Sequence, residues 1–347
     1  MKAIGLMSGT SADGIDAALL VSDGDSVVEC GPALTRPYEP ALRARLRALD
    51  ESAEAALTDA HGEAVAALLG TTTLTAGNID VIGFHGQTLW HRPEQGRTCQ
   101  IGDGARLAAA TGIDVVDNLR AADMRAGGQG APLVPVYHRA LATGLPRPLA
   151  VLNIGGVANV TWIGAGDDAL LGFDTGPGNA LLDDWAEAYT GCPFDEDGRL
   201  AAAGEVDAKA LEALLSNSYF RALPPKSLDR DHFAGKLVDK LSPADGAATL
   251  LAFTASSVAL AADQFPAPVS RWLVGGGGRH NAALMAALAE RLTAPVDAVE
   301  AVGWDGDALE AHAFAYLALR SLRGLPLTYP STTGCAAPTT GGVLHRA

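Results

Sequence analysis

A short polar turn near the N-terminus carries residue types that bind phosphate. It follows the apolar run 3–6 and contains Gly9, Thr10, Ser11 and Gly14. Glycine lets backbone N–H groups approach an anion closely, and the two hydroxyl groups add further donors. Apolar residues return over 17–21, so the whole stretch predicts a β-hairpin. Gly, Ser and Asp are also common in ordinary hairpin turns, and that alternative stays open.

Two later glycine turns repeat the pattern. The apolar strand 149–154 leads into Gly155 and Gly156, and an apolar strand returns over 157–163. Four consecutive glycines at 275–278 separate a strand from a helix, where they could form a ledge for phosphate or adenosine. A dinucleotide fingerprint does not fit this run, and the chain has no P-loop lysine motif.

Two carboxylates occupy positions from which they could reach a substrate. Asp174 ends an apolar strand and precedes a glycine turn and a helix. It could act in a cleft, or it could cap the N-terminus of that helix. Glu310 lies in the predicted helix 307–323 among alanines and aromatic residues, so it is either solvated or directed at a site.

Polar side chains also follow the buried strand 80–84. His85, Gln87 and His91 come directly after it. Ligands of α/β proteins bind at the carboxyl ends of strands, which favours sugar or phosphate contacts for this group. The alternative is that each histidine is an ordinary core or surface residue.

The polar loop that begins at residue 118 contains two arginines in an acidic protein. Arg120, Asp123 and Arg125 lie in it, and a glycine-rich segment, 127–130, follows. Such side chains bind hydroxyl groups and carboxylates. A solvated loop with surface ion pairs would have the same composition.

The composition bounds the class of protein. The chain has 347 residues and a net charge of −15, which disfavours a nucleic acid or an anionic membrane as partner. It starts without a signal peptide, and its four cysteines form no paired motif, so we expect a reducing, cytoplasmic compartment. This length favours two domains, and the glycines and proline after 127 indicate a boundary near 135.

The repeated unit of strand, glycine turn and strand, at 3–21 and 149–163, predicts a duplicated architecture. In combination, these motifs resemble the superfamily of sugar kinases, actin and heat-shock ATPases. Within it the chain is similar to the anhydro-N-acetylmuramic acid kinases. The matching stretches span nearly the whole chain: 5–16, 86–88 with His91, 127–133, 153–159, 173–179 and 275–277.

The resemblance implies a fold and an activity. The fold would be two actin-like α/β domains, 1–135 and 136–347, with mixed five-stranded sheets flanked by helices and an interdomain cleft. The C-terminal segment could pack back on the first domain. The activity would be ATP- and Mg²⁺-dependent: water opens the 1,6-anhydro ring and O6 is phosphorylated, in cytoplasmic recycling of peptidoglycan. A homodimer is compatible with this family.

The resemblance also assigns roles to residues. Asp174 would be the base that activates water, and Glu310 would order water or magnesium. The sugar would be contacted by His85, Gln87, Arg120 and Asp123. ATP would be bound by the two hairpins and the glycine run: Gly9, Thr10, Ser11, Ala12, Asp13, Gly14, Ile15, Asp16, Asn153, Gly155, Gly156, Asn159, Gly275, Gly276, Gly277 and Gly278.

One departure concerns the metal. Many sugar kinases of this superfamily have an aspartate two residues before the glycine of the first turn, and Met7 occupies that position here. Asp13, or Asp16, would then be the magnesium ligand. Two alternative functions remain: a kinase for another sugar or a small carboxylate on the same fold, and a nucleotide-gated binding ATPase.

Overall fold

The computed structural model describes residues 1–9, 12–166, 169–230, 232–233 and 238–347. They form two compact units, Met1–Leu145 with Asp307–Ala347, and Pro146–Gly306. The strands of the described residues are β1 (Lys2–Ser8), β2 (Gly14–Ser22), β3 (Val27–Pro37), β4 (Val81–Arg92), β5 (Arg97–Ile101), β6 (Val115–Asp117), β7 (Leu149–Ile154), β8 (Val157–Ile163), β9 (Leu170–Pro177), β10 (Trp272–Gly275), β11 (Val296–Ala298) and β12 (Val343–His345).

The α-helices lie between these strands and after them. They are α1 (Pro40–Arg47), α2 (Glu54–Gly70), α3 (Gly104–Thr111), α4 (Ala121–Arg125), α5 (Pro135–Leu141), α6 (Ala180–Thr190), α7 (Arg199–Ala202), α8 (Ala208–Leu215), α9 (Pro243–Ala262), α10 (Ala282–Arg291), α11 (Leu309–Leu322) and α12 (Pro330–Thr333).

The two units share one sheet topology. In the first, β3, β2 and β1 form an antiparallel meander, and β4 and then β6 continue in parallel from β1. In the second, β9, β8 and β7 form the same meander, and β10 and then β11 continue in parallel from β7. The predicted duplicated architecture and mixed sheets flanked by helices are therefore confirmed.

The first sheet is larger than the five strands expected. Its seven strands include β5, which pairs with the end of β4, and β12, which pairs with β6. The expectation missed β12 because a three-residue strand at the C-terminus has little pattern of its own. The second sheet has the five strands expected.

The division of the chain differs from the expected boundary near 135. The helix α5 belongs to the first unit, where Tyr137 packs on Tyr316 of α11 with 5.6 Å between the ring centres. The segment Asp307–Ala347 also belongs to the first unit. Two glycines explain why its helix α11 packs so closely on this sheet.

These glycines, Gly5 and Gly83, are register partners on β1 and β4. A Cβ atom on Gly5 would overlap the backbone carbonyl of Ala311, and one on Gly83 would overlap that of Phe314. The backbone of α11 therefore lies directly against the two central strands. The opposite face of the sheet packs against α2 and α3 through residues such as Leu57.

The core helix of the second unit is α9. By length and composition it could span a membrane, but 72% of its most apolar 18-residue window is buried inside the structure. Phe253 and Val258 of α9 are fully buried in the apolar cluster beneath β7, β8 and β9. This burial is typical of the central helix of a packed domain.

Candidate active site

The first glycine turn is held by Gln87 of β4. Its Nε2 donates to the carbonyl of Gly9 at 3.0 Å, and its Oε1 accepts from the hydroxyl of Ser8 at 2.5 Å. The Tyr38 phenol donates to the same Ser8 hydroxyl at 2.8 Å. Since Gln87 is only 2% exposed, its amide shapes the turn from within the fold.

The turn itself has a tight backbone. Thr10 and Ser11, the predicted hydroxyl donors, lie outside the described residues. Ala12 adopts the left-handed region, with φ of 52°. A Cβ on Gly14 would lie 2.7 Å from a backbone carbonyl oxygen of β3, and the side chain of Ile15 is in the core. Because the side chains of Ala12 and Ile15 are buried, a ligand near these two residues would meet their backbone groups.

The acidic residues of the turn bond to neighbouring elements. The exposed carboxylate of Asp13 pairs with Arg43 of α1, and Oδ1 of Asp16 accepts from the Thr35 hydroxyl at 2.6 Å. An exposed ion pair contributes only about 0–1 kcal/mol, so a competing cation could displace Arg43. Within the described part of the chain, no group of three or more His, Cys, Asp or Glu residues is arranged to hold a metal ion.

His85 and Arg120 form a buried pair at the end of β4. The Arg120 Nη2 lies 2.8 Å from His85 Nε2 and, because a guanidinium only donates, that nitrogen is the acceptor. His85 Nδ1 then carries the proton and donates to the Gly86 carbonyl at 2.8 Å. Burial and the Arg120 charge lower the pKa of His85 well below its usual value, so the ring is neutral.

Asp123 holds the glycine loop that follows α4. Its Oδ2 accepts from the N–H of Gly130 at 2.7 Å, and Oδ1 accepts from the hydroxyls of Thr328 and Thr333 at 2.5 and 2.6 Å. Arg120 Nη1 donates to the Gly130 carbonyl at 2.7 Å. Three of the four predicted sugar contacts therefore form one network around this loop, while Gln87 lies at the first turn.

Glu310 lies in the first turn of α11 and is half-buried. Ala311 packs against Gly5, and Arg320 donates to the carbonyl of Gly24 beyond the opposite end of β1, so α11 runs antiparallel to β1. The N-terminal end of α11 is consequently at the end of the sheet that carries the first glycine turn. The positive end of a helix dipole favours anions.

Four predicted residues of the second unit form one row across four strands. Asn153 on β7 pairs with Gly275 on β10 and with Asn159 on β8, and Asn159 pairs with Asp174 on β9. Directly opposite residues on neighbouring strands point to the same face. Their neighbours along each strand face the apolar core, so the row points to the other face. The Asn159 Oδ1 is buried and finds no hydrogen-bond partner among the described residues.

The second glycine turn packs against the start of α6. The Gly156 carbonyl accepts from the N–H of Gly178 at 3.0 Å, and the Gly155 carbonyl accepts from that of Asn179 at 2.7 Å. A Cβ on Gly178 would overlap the Gly155 oxygen. In planar trans peptides N–H and C=O point in opposite directions, so the N–H groups that follow these carbonyls point away from α6. On that side of the turn they could donate to an anion.

The glycine run lies against the end of β7. A Cβ on Gly276, where φ is 72°, would overlap Asn153 Oδ1, and one on Gly278 would lie 2.5 Å from the Ile154 side chain. Gly277 opens the short 3₁₀ turn that leads to α10. The buried Arg279 fixes the run by donating from Nη1 to the Gly276 carbonyl at 3.0 Å.

Asp174 is 6% exposed and lies at a bulge in β9, where Thr175 is the extra residue opposite the partner strand. Its Oδ2 accepts from the N–H of Leu228 at 2.8 Å, and its own N–H donates to the Lys226 carbonyl at 2.9 Å. The helix-cap interpretation is wrong, because Asn179 occupies the N-cap position of α6.

Sequence reasoning missed several residues that hold the first turn or surround Asp174. Ser8 and Tyr38 hold the first turn, and Tyr219, Lys226 and Leu228 surround Asp174. The last three lie 45 to 54 positions beyond Asp174, in a loop-rich stretch without periodic pattern. No local signal in the sequence pairs them with β9.

The family model and the curated relatives that match this chain name one family. A model of the anhydro-N-acetylmuramic acid kinase family matches residues 1–347. The chain is 61% identical to the anhydro-N-acetylmuramic acid kinase of Rhodospirillum rubrum, covering 98% of this chain and 93% of that one. It is 59% identical to that of Paramagnetospirillum magneticum, with 99% of both chains covered.

A solved structure also matches, at low identity. The activator of 2-hydroxyisocaproyl-CoA dehydratase from Clostridium difficile gives a TM-score of 0.48 at 14% identity, covering 93% of this chain and 97% of that chain. The family match covers the full length of the chain, and the identity to the relatives is high throughout. The chain belongs to the anhydro-N-acetylmuramic acid kinase family.

Proposed function

We propose that this chain uses ATP to phosphorylate O6 of 1,6-anhydro-N-acetylmuramic acid while water opens the anhydro ring. The observation that carries the proposal is the row from Gly275 through Asn153 and Asn159 to Asp174. This row brings the glycine run, the second glycine turn and the Asp174 carboxylate together at one end of the second sheet. A binding ATPase would need the glycines but not the carboxylate.

Asp174 would act as the base for water. It takes one proton as the water oxygen attacks C1, and the C1–O6 bond breaks with its electron pair on O6. O6 then bonds to the γ-phosphorus, and the β–γ bridging oxygen leaves with ADP. Because O6 receives a phosphoryl group instead of a proton, a second carboxylic acid is not needed for this leaving group. Attack from the side opposite O6 inverts C1.

Asn159 would orient the attacking water. Its buried Oδ1 accepts hydrogen bonds. Phosphate oxygens at neutral pH also only accept, so Oδ1 is better suited to a donor such as water or a hydroxyl group. Lying opposite Asp174 on the neighbouring strand, it would accept a hydrogen bond from the second O–H of the water, which stays on the C1 hydroxyl of the product. This refines the phosphate contact expected for Asn159 from the sequence.

ATP would be held chiefly by backbone groups. The turn at 155–156 directs N–H groups away from α6, and the first turn, Gly9 to Asp16, would supply further backbone donors. Asp13, which is exposed, fits a Mg²⁺ that takes its remaining ligands from phosphate oxygens and water. When bound, Mg²⁺ neutralises part of the phosphate charge. Glu310 would help to order the water that binds Mg²⁺.

The sugar would lie against the network around Gly130. His85, Arg120 and Asp123 hold this loop, and His85 positions the guanidinium of Arg120, which would bind hydroxyls and the lactyl carboxylate. We also propose a cytoplasmic location in cell-wall recycling. The cysteines form no disulfide among the described residues, as in reducing compartments.

Product analysis tests the function directly. Protein, Mg-ATP and the anhydro sugar are mixed, and ADP and the sugar product are quantified by mass spectrometry. We expect one ADP per product, and a product heavier than the substrate by one water and one phosphoryl group. ATP turnover without the sugar would favour a binding ATPase, and turnover with another sugar only would favour a different kinase.

A further inference from the structure

The buried lysine beside Asp174 has no role in the chemistry described so far. Lys226 is 7% exposed, and its Nζ donates to the carbonyls of Tyr219 at 3.0 Å and Ala222 at 2.9 Å. The same Nζ lies 4.6 Å from the centre of the Tyr219 ring and 5.7 Å from that of Phe173. Burying a cation is costly unless it is paired or hydrogen-bonded.

The segments that Lys226 joins are the ones that hold Asp174. The Tyr219 phenol donates to the backbone carbonyl of Asp174 at 2.5 Å. The Lys226 carbonyl accepts from the Asp174 N–H at 2.9 Å, and the Leu228 N–H donates to Oδ2 at 2.8 Å. Residue 219 and the segment 226–228 therefore hold both the backbone and the carboxylate of Asp174 in place.

These contacts form a closed ring. It runs from Asp174 to Tyr219, from the Tyr219 carbonyl to the Lys226 ammonium, and from the Lys226 backbone back to Asp174. Tyr219 can serve as a donor because burial raises its pKa well above the usual value and keeps the phenol protonated. An apolar side chain at 226 could fill the space but could not bind the two carbonyls.

We propose that Lys226 is a positioning residue for Asp174, whose ammonium joins the 219–222 turn to the 226–228 segment and so fixes the direction of the catalytic carboxylate. The inference rests on the proposed function of Asp174 as the base. Burial lowers the pKa of Lys226 to about 8, so the side chain is still mostly charged at neutral pH.

The test compares Lys226→Met, Lys226→Arg and Lys209→Met. Lys209 is an exposed lysine of α8 in the same unit and serves as the matched control. Steady-state kinetics with Mg-ATP and the anhydro sugar, kcat–pH profiles and melting temperatures are measured on each. Tyr219→Phe, which removes only the hydroxyl, is a milder variant in case Lys226→Met does not fold.

We expect kcat of Lys226→Met to fall about 10- to 100-fold with KM nearly unchanged, since small misplacements of a catalytic group are costly. The acid limb of its kcat–pH profile should move to higher pH, because a weakened N–H bond from Leu228 disfavours the ionised carboxylate. Lys226→Arg should regain most activity, Tyr219→Phe should show a smaller loss of kcat, and Lys209→Met should match the wild type.

Two results would overturn the proposal. One is a folded Lys226→Met with normal kcat; the other is a loss of kcat that follows melting temperature, leaves the acid limb in place and is not rescued by arginine. Asp174→Asn is assayed alongside. If it is inactive while Lys226→Met is normal, only the Lys226 proposal fails; if it turns over normally, Asp174 is not the base and the function proposed for it fails as well.

Discussion

Gln87 donates an amide N–H to the carbonyl of Gly9 across 3.0 Å, and this bond ties β4 to the first glycine turn. Its other amide atom accepts from the Ser8 hydroxyl. The parallel pairing of Ser8 with Gln87 places the two residues side by side on neighbouring strands. The shape of the turn is therefore set by a residue far away in the sequence.

Gln87→Leu tests this relationship. Leucine keeps the volume but leaves the Gly9 carbonyl and the Ser8 hydroxyl without their partner, so the turn should lose its fixed shape. We expect ATP affinity to fall about 10-fold, the equivalent of one lost hydrogen bond, as measured by calorimetry. Gln100→Leu is the control, since Gln100 bonds to Thr88 and Thr98 rather than to the turn. Equal ATP affinity in both variants would argue against this role.

Gly83→Ala tests the packing of α11 on the first sheet. The added methyl group would overlap the Phe314 carbonyl, which belongs to helix backbone and cannot move alone. We expect a loss of about 3 kcal/mol or more in the free energy of unfolding. Gly70→Ala is the control: Gly70 ends α2, a Cβ there meets nothing within 4 Å, and a gain of about 0.5–1 kcal/mol is expected. Similar denaturation midpoints for the two variants would contradict this packing.

Much of the fold was predictable because it is locally encoded. The apolar runs around Gly9 and Gly155 predicted both hairpins, and the helix expected after the glycine run is α10. The partners of Asp174 were not predictable, because Leu228 is 54 positions away and its contact is a backbone N–H, which any residue but proline supplies. The role of Gln87 was hidden for a similar reason: an amide at a strand end suits a ligand and a turn equally well.

Acid should destabilise the protein through His61. Burial lowers its pKa from 6.5 to about 4, so between these values the unfolded chain binds more protons and unfolding becomes easier as pH falls. The loss from this residue is about 3 kcal/mol at pH 4. His61→Phe, which can keep the edge contact with Phe84, should show a shallower fall in unfolding free energy between pH 6.5 and 4. His280→Gln, at an exposed position, should keep the wild-type slope; the same slope in His61→Phe would refute the idea.

Asn159→Leu separates two roles for one amide. If Asn159 orients water beside Asp174, kcat should fall about 10-fold or more while the ATP dissociation constant stays unchanged. If it binds a phosphate, ATP affinity should fall instead and kcat at saturation should remain. Calorimetry with a non-hydrolysable ATP analogue and steady-state kinetics on one preparation distinguish these outcomes.

Asp174→Asn is the decisive variant for the chemistry. The amide oxygen can still accept the Leu228 N–H that Oδ2 accepts now, so melting temperature and sugar binding should change little. It cannot take a proton from water, and base catalysis contributes roughly 10²–10⁴-fold, so turnover should fall by that factor. Ring opening and phosphoryl transfer should fall together, because O6 cannot accept phosphate until its bond to C1 breaks. Release of ADP and loss of the anhydro sugar are therefore followed in the same reaction. A folded, sugar-binding Asp174→Asn protein with near-normal turnover would show that another group is the base.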